Sequence, residues 1–266
     1  MKTIVITGST RGIGFGLAHE FLARNHAVVV SGRSQEGVDR AVQELISRHG
    51  ADRILGQPCD VGVFDQVQAL WHAAKAHFGR IDIWVNNAGM GNQMFVFWEQ
   101  PWEKIQAIIH ANLVGLMYGS KIAMQGMLDQ GGGQIYNMEG FGSNGSIRKG
   151  LLIYGTSKAG VAYFNKGLIS ETRGTPVRVG ILSPGMVPTD LLLGGYAGGE
   201  DARRARRIFN ILADRVETVT PFLVERMLAN NRHGARISWI SRPKIFWRFM
   251  TAPFINRHVL DDQDLE

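Results

Sequence analysis

The residues best suited to chemistry are Tyr154 and Lys158, in the run Tyr154-Gly155-Thr156-Ser157-Lys158. On a helix, positions i and i+4 share a face, so this phenol and ammonium would open into one pocket. A free phenol, with a pKa of about 10, is a poor proton donor and acceptor at neutral pH. Nearby cations favour the phenolate and are expected to lower that value, fitting Tyr154 to give a proton to a carbonyl oxygen. The spacing is common in helices, so its meaning depends on what accompanies it.

The companion motif is Thr7-Gly8-Ser9-Thr10-Arg11-Gly12-Ile13-Gly14, where an apolar strand-like run gives way to helical periodicity. Gly8 suits a tight turn, Gly12 the approach of a pyrophosphate, and Gly14 close packing of helix on strand. The free N–H groups of the helix start, with Ser9 and Ile13 in the same turn, would hold the phosphates of a dinucleotide. After the second strand the sequence reads Val30-Ser31-Gly32-Arg33-Ser34, with no acid to accept ribose hydroxyls. Arg33 and Arg11 are instead expected to pair with a 2′-phosphate, which makes NADP(H) the expected cofactor. Later strand ends contribute Asp60 and Val61 near the adenine, and Asn87, Ala88 and Gly89 as small residues beside the cofactor.

Short apolar runs at Thr3–Thr7, Ala27–Ser31, Arg53–Gln57, Ile81–Val85, Gly133–Asn137, Val177–Leu182 and Ala235–Ser241 alternate with helical segments. This pattern predicts a single-domain α/β fold, a Rossmann-type doubly wound parallel sheet of about seven strands with helices on both faces. With 45% hydrophobic residues in 266, the chain has ample material for such a core. A substrate lid is expected over about 191–216 and a C-terminal tail over about 242–266. The single cysteine, Cys59, excludes an internal disulfide framework and suits a reducing compartment. The net charge of +6 comes from scattered basic residues without a recognition motif, so no nucleic-acid partner is expected. With strand character from Thr3 onward and no long apolar stretch, a cytoplasmic protein without targeting segment is expected. No metal site is expected.

Together these residues resemble the short-chain dehydrogenase/reductase family over nearly the whole chain: Gly8/Gly12/Gly14, Asn86-Asn87-Ala88-Gly89, Asn112, Tyr154/Lys158 and Ser183-Pro184-Gly185. The resemblance implies that Tyr154 is the acid/base, that Lys158 also holds the nicotinamide ribose, and that Asn112 supports a proton-relay water. It places Pro184, Gly185 and Val187 over the nicotinamide and Thr189 at its carboxamide. It also implies a homodimer or homotetramer formed through the helices around Asn112 and Tyr154.

One departure stands out. Where the family carries a substrate-binding serine, this chain reads Asn137-Met138-Glu139-Gly140-Phe141-Gly142-Ser143-Asn144. Ser143 is the nearest donor for polarising a carbonyl oxygen, and it serves equally well to shape a glycine-rich loop. The sequence does not separate the two. Glu139 would bind a polar substrate group or titrate itself.

The same loop, with Pro184-Gly185-Met186-Val187-Pro188-Thr189-Asp190-Leu191 and Phe209-Asn210-Ile211-Leu212-Ala213-Asp214, resembles the chlorophyll b reductases. That resemblance implies reduction of the C7 formyl of chlorophyll b, or of a chlorophyllide-like tetrapyrrole, to hydroxymethyl. The plant enzymes carry a transit peptide and some carry membrane segments, so a bacterial relative is expected. Met90, Met186 and Leu191 would suit a large flat apolar substrate, and equally an ordinary core. Two alternatives stay open: a general reductase or dehydrogenase of lipophilic aldehydes, ketones or alcohols, and a non-catalytic NADP(H)-binding regulator. The basic, aromatic stretch from Arg242 to Met250 would pack on its own domain, touch a neighbouring subunit or dock peripherally on a membrane.

Overall fold

In a computed structural model, residues 1–193, 199–252, 254–255 and 257–260 are described, without the side chains of 192–193, 199–205 and 242. Seven strands, β1 (Thr3–Ile6), β2 (Ala27–Gly32), β3 (Ile54–Pro58), β4 (Ile83–Asn86), β5 (Gly133–Met138), β6 (Val177–Ser183) and β7 (Arg236–Ser238), form one sheet. All pair in parallel, in the order β3-β2-β1-β4-β5-β6-β7. The order reverses at β1, and there the carboxyl ends of β1 and β4 part to leave a crevice for a dinucleotide.

The β-branched runs are buried on both sides because helices cover both faces. Ile4 and Ile6 of β1 point toward α1 (Gly12–Ala23), α2 (Gln35–His49) and α9 (Val216–Ala229). Val5, one residue out of phase, packs with α3 (Phe64–Phe78) and α5 (Gly115–Asp129) on the opposite face. Trp84 and Trp71 meet there with ring centroids 6.0 Å apart. Each fully buried aliphatic or aromatic side chain contributes roughly 1.5–3 kcal/mol of transfer free energy, so this two-sided core stabilises the sheet whose edge carries the crevice.

Between these helices lie α4 (Trp102–Ile109), a π-helical turn (His110–Val114) running into α5, and α6 (Leu152–Glu171). The C-terminal third adds α7 (Asp190–Leu193), α8 (Gly199–Leu212) and α10 (Arg242–Thr251). Six of the expected strands stand within two residues of their predicted bounds. The seventh is shorter than expected: pairing stops at Ser238, whose hydroxyl donates to the Ile240 carbonyl and turns the chain out of the sheet.

The expected lid falls partly on residues 194–198, and the acidic end of the expected tail on 261–266; both lie outside the described residues. The chain beyond β7 is anchored. Asp214, between α8 and α9, accepts from Trp239 at 2.6 Å and pairs with Arg248 and Arg257, each at 2.6 Å. These groups pin α10 against the end of α8.

Candidate active site

The glycine loop forms because no other residue fits it. Gly8 has φ of 63°, in the left-handed region, and a Cβ there would lie 2.7 Å from Ala88 Cα. A Cβ on Gly14 would lie 2.3 Å from the Gly8 carbonyl oxygen, so α1 can start this close to β1 only with glycine. Asn87 fastens the loop from β4: its Nδ2 donates to the carbonyls of Thr7 and Gly8 at 3.0 and 2.9 Å. The Thr7 hydroxyl accepts from the N–H groups of Asn87 and Ala88. Ser9 is fully buried; its hydroxyl donates to the Ile6 carbonyl and accepts from the Ser31 N–H. Ser9 therefore ties β1 to β2 under the loop.

The residues present fit a dinucleotide phosphate. No side chain caps the N-terminus of α1, and its first turn holds no acid. The next helix contrasts with it, since Ser34 caps α2 by accepting from the Gly37 N–H. An uncapped helix start flanked by glycines leaves its N–H groups free for an anion.

The other expected cofactor residues line the same edge. Arg33 is exposed just past β2. Arg11 is exposed too, but its guanidinium pairs with Asp190 at 2.8 Å, bridging the glycine loop to the start of α7. Asp60 Oδ1 accepts from the Gly62 N–H at 2.9 Å, while Val61 is buried beneath it against Gly115. Thr189 lies against Gly12, and Val187 is buried in the core that includes α1 and α9, so the irregular segment after Pro184 and Gly185 returns over the loop.

Tyr154 and Lys158 stand on α6 facing the end of β5. The Lys158 ammonium is nine-tenths buried and donates to the Met138 carbonyl at 3.1 Å; it lies 5.9 Å from the Tyr154 ring centre. Burial pushes the lysine down to about 8, with the Glu139 charge opposing. Burial pushes the Tyr154 phenol up to about 12. Desolvation outweighs any help from the protein's own cations, while the lowering expected from nearby cations also counts an oxidised nicotinamide ring, whose charge acts only with the cofactor bound. A protonated phenol is nonetheless the species that gives up a proton.

Asn112 sits fully buried in the π-helical turn. Its Oδ1 accepts from the Met90 N–H at 2.7 Å, and its Nδ2 donates to the Met90 carbonyl and the Ser157 hydroxyl. Ser157 in turn donates to the Tyr154 carbonyl at 2.7 Å. Asn112 thus joins the segment after β4 to the helical turn that carries Tyr154. The widened turn is a feature common at functional sites.

Two side chains that no motif singles out do similar work. Ser157 is one, marked in sequence only by its place between Tyr154 and Lys158. Asn92 is the other: its Oδ1 accepts from the Tyr154 N–H at 3.3 Å, and its Nδ2 donates to the Gly150 carbonyl. Beneath them Asn86, Ser120, Asn137 and Asn165 form a buried hydrogen-bonded chain linking β4, α5, β5 and α6.

The end of β5 holds the departure. A Cβ on Gly140 would meet the Tyr154 hydroxyl, so a side chain there would displace the phenol from this position. Ser143 is turned back into its loop, donating to the Lys158 carbonyl at 3.2 Å and accepting from the Gly140 N–H at 3.2 Å. In this arrangement the Ser143 hydroxyl places its single hydrogen within its own loop. Glu139 is buried and lies 2.7 Å from the Arg236 guanidinium on β7. Of the expected substrate residues, Leu191 lies beside Gly89 and Gly91, next to Met90, while Met186 packs on Phe209, Ala213 and Leu260.

Residues 2–194 match the family model for short chain dehydrogenases. The chain belongs to that family. Its fold is the NAD(P)-binding fold of the short-chain dehydrogenases. It is 36% identical over 94% of its length to the probable chlorophyll(ide) b reductase NYC1, chloroplastic, of Oryza sativa subsp. japonica, covering 52% of that protein. It is 36% identical over 97% of its length to the chlorophyll(ide) b reductase NOL, chloroplastic, of Arabidopsis thaliana, covering 77% of it. The chain thus spans about half the length of the NYC1 relatives. Among solved structures, the closed form of serine dehydrogenase complexed with NADP+ superposes with a TM-score of 0.75 at 26% identity, covering 90% of this chain and 94% of that one.

Proposed function

We propose that this short-chain dehydrogenase is an NADPH-dependent carbonyl reductase acting on the C7 formyl of chlorophyll b or a chlorophyllide-like tetrapyrrole. The observation that carries the reading is the β5 end, where Gly140 clears the space under the Tyr154 hydroxyl and no serine donor takes its place. Tyr154 is then left as the donor to the substrate oxygen, and relatives 36% identical to this chain over most of its length are named for chlorophyll(ide) b.

NADP(H) is favoured by the absence of an acid after β2 and by exposed Arg33. The Arg11–Asp190 pair is largely exposed on both sides, so releasing Arg11 toward a phosphate costs little, about 1 kcal/mol or less. The bound cofactor would supply the hydride. On the protein side, Tyr154 donates its phenolic proton to the carbonyl oxygen, Lys158 holds positive charge beneath it, and Asn112 fixes the turn that presents both. In the reading favoured here Ser143 clamps the loop, and Met90 and Leu191 form the apolar rim.

Two contacts with larger partners belong to the same reading. Leu113, Met117, Gly160 and Phe164 line an apolar groove of about 320 Å³ between α5 and α6, which we assign to a second copy of the chain. The outer side of α10 exposes Phe246, Trp247 and Met250, a stripe fit for peripheral contact with lipid, although Arg248 is turned inward to Asp214. Sedimentation with vesicles should fall on changing Phe246 and Trp247 to serine. Unchanged sedimentation would remove the lipid contact.

The deciding assay offers NADPH with chlorophyll b, chlorophyllide b and simple aliphatic and aromatic aldehydes. Turnover of the formyl tetrapyrroles, seen as the spectral change of formyl to hydroxymethyl, is expected. Turnover of simple aldehydes alone would leave a general reductase, and binding of NADPH without any turnover would leave a regulator.

A further inference from the structure

We propose that Glu139 is a positioning residue for Lys158, a buried carboxylate shared with Arg236 that keeps the lysine charged and aimed at the floor of the crevice. The proposal rests on the reading of Tyr154 and Lys158 as the working pair. It assigns Glu139 to that pair rather than to the substrate.

Three consecutive residues at the end of β5 meet the pair. Met138 gives its carbonyl to the Lys158 ammonium, and Gly140 gives clearance to the Tyr154 hydroxyl. Glu139 lies between them, held by its N–H donating to the Leu182 carbonyl at 2.9 Å. Its side chain is 3% exposed, which for a carboxylate demands compensation. The charged groups that face it are Arg236 from β7, and Lys158 and Lys166 from α6.

Arg236 does not consume that charge fully. Its guanidinium approaches Glu139 Oε2 at 2.7 Å, yet the oxygen receives no aligned hydrogen bond, and the arginine is half exposed to water. A buried anion with one screened partner projects its field onto the next cation, and that cation is Lys158. The influence is reciprocal: Glu139 opposes the desolvation that lowers Lys158, and Lys158 opposes the desolvation that raises Glu139. A lysine this buried, with a neutral carbonyl as its acceptor, otherwise loses its proton near neutral pH and with it the charge that supports Tyr154.

The test tracks the lysine itself. In full-length protein labelled with 13C-lysine, the Lys158 side-chain signal is assigned by its loss in Lys158→Arg, then titrated in wild type, Glu139→Asp and Glu139→Gln. The midpoint should fall by about one pH unit in Glu139→Gln, with Glu139→Asp in between. The alkaline limb of kcat/KM should move the same way, since the uncharged lysine no longer supports the phenol. An unchanged Lys158 midpoint in folded Glu139→Gln overturns the proposal. If that variant does not fold, an unchanged midpoint in Glu139→Asp overturns it. The titration needs no substrate, so a shifted midpoint in protein that leaves chlorophyll b untouched would sink the substrate reading and spare this one. Full turnover by Tyr154→Phe would sink both.

Discussion

The cradle after β1 and the shelf after β5 stand at the carboxyl edge of the same sheet, yet they are filled by different rules. In the cradle, backbone meets backbone: Gly8 against Ala88, Gly14 against the Gly8 carbonyl, with Asn87 and Thr7 stitching the strands together. Such contacts leave almost no freedom of residue choice, because any Cβ collides. On the shelf, backbone meets the tips of side chains: Gly140 against the Tyr154 hydroxyl, the Met138 carbonyl against the Lys158 ammonium, Glu139 toward Arg236. Tips can be moved or recharged, so the shelf is where one member of a fold family can differ from another in chemistry. The comparison explains why the cradle keeps to the family pattern while the shelf departs from it.

Breaking the shelf at its reacting atom should have the largest effect. Tyr154→Phe removes the proton donor and should lower kcat roughly 10²- to 10⁴-fold, with cofactor affinity by fluorescence titration unchanged. Equal loss of cofactor affinity would mean the phenol serves binding rather than proton transfer. Gly140→Ser comes next, and it sharpens the contrast because it puts a serine on the shelf beneath the phenol. Its Cβ collides with the Tyr154 hydroxyl, so kcat should fall about 10²-fold rather than rise. A gain would show that the shelf lacks a donor it needs.

The C-terminal anchor offers a stability test away from both regions. Burial raises the Asp214 carboxyl, but hydrogen bonds from Trp239 and Arg248 and the charges of Arg248 and Arg257 outweigh it and hold it below the usual carboxylate range. A depressed native value stabilises the fold above the unfolded pKa of about 3.9, and that contribution is lost as pH falls through the native value. Asp214→Asn should therefore cost about 1.5–3 kcal/mol at neutral pH by denaturant unfolding, and the gap should close in acid below about pH 4. A gap independent of pH would locate the loss in packing.

The smallest effect concerns the rim of the cradle. Arg33→Ala should cut the preference for NADPH over NADH about tenfold, chiefly through KM for NADPH, since one charge-assisted bond is lost. An equal fall with both cofactors would place Arg33 outside the phosphate site.

The contrast between the two regions also explains what the sequence could say. The parallel sheet and the glycine loop were legible because parallel strands buried on both faces read as β-branched runs, and because steric exclusion leaves glycine as a visible mark. Tyr154 and Lys158 were legible as residue types at helical spacing, and Asn112 through the resemblance to the family. The partners of those residues were not. Asn92 reaches Tyr154 from a loop 62 residues away, and Arg236 reaches Glu139 across β6, contacts that only the folded sheet creates. Ser143 looked like a donor by its type, but its loop turns the hydroxyl inward. Arg11 looked like a phosphate ligand, and its pairing with Asp190 appears only once α7 is placed beside the loop. Spacing likewise reveals the cation beside Tyr154 but not the depth of burial that opposes it.

The central claim is a reductase in which Tyr154 supplies the proton to a formyl oxygen. It is tested most directly by giving the enzyme chlorophyllide b with NADPH carrying two deuterium atoms at C4 of the nicotinamide, in wild type and in Tyr154→Phe. The account predicts a hydroxymethyl product with deuterium on its carbon in wild type, and little product in the variant. Product without deuterium, or equal product from both proteins, would contradict it.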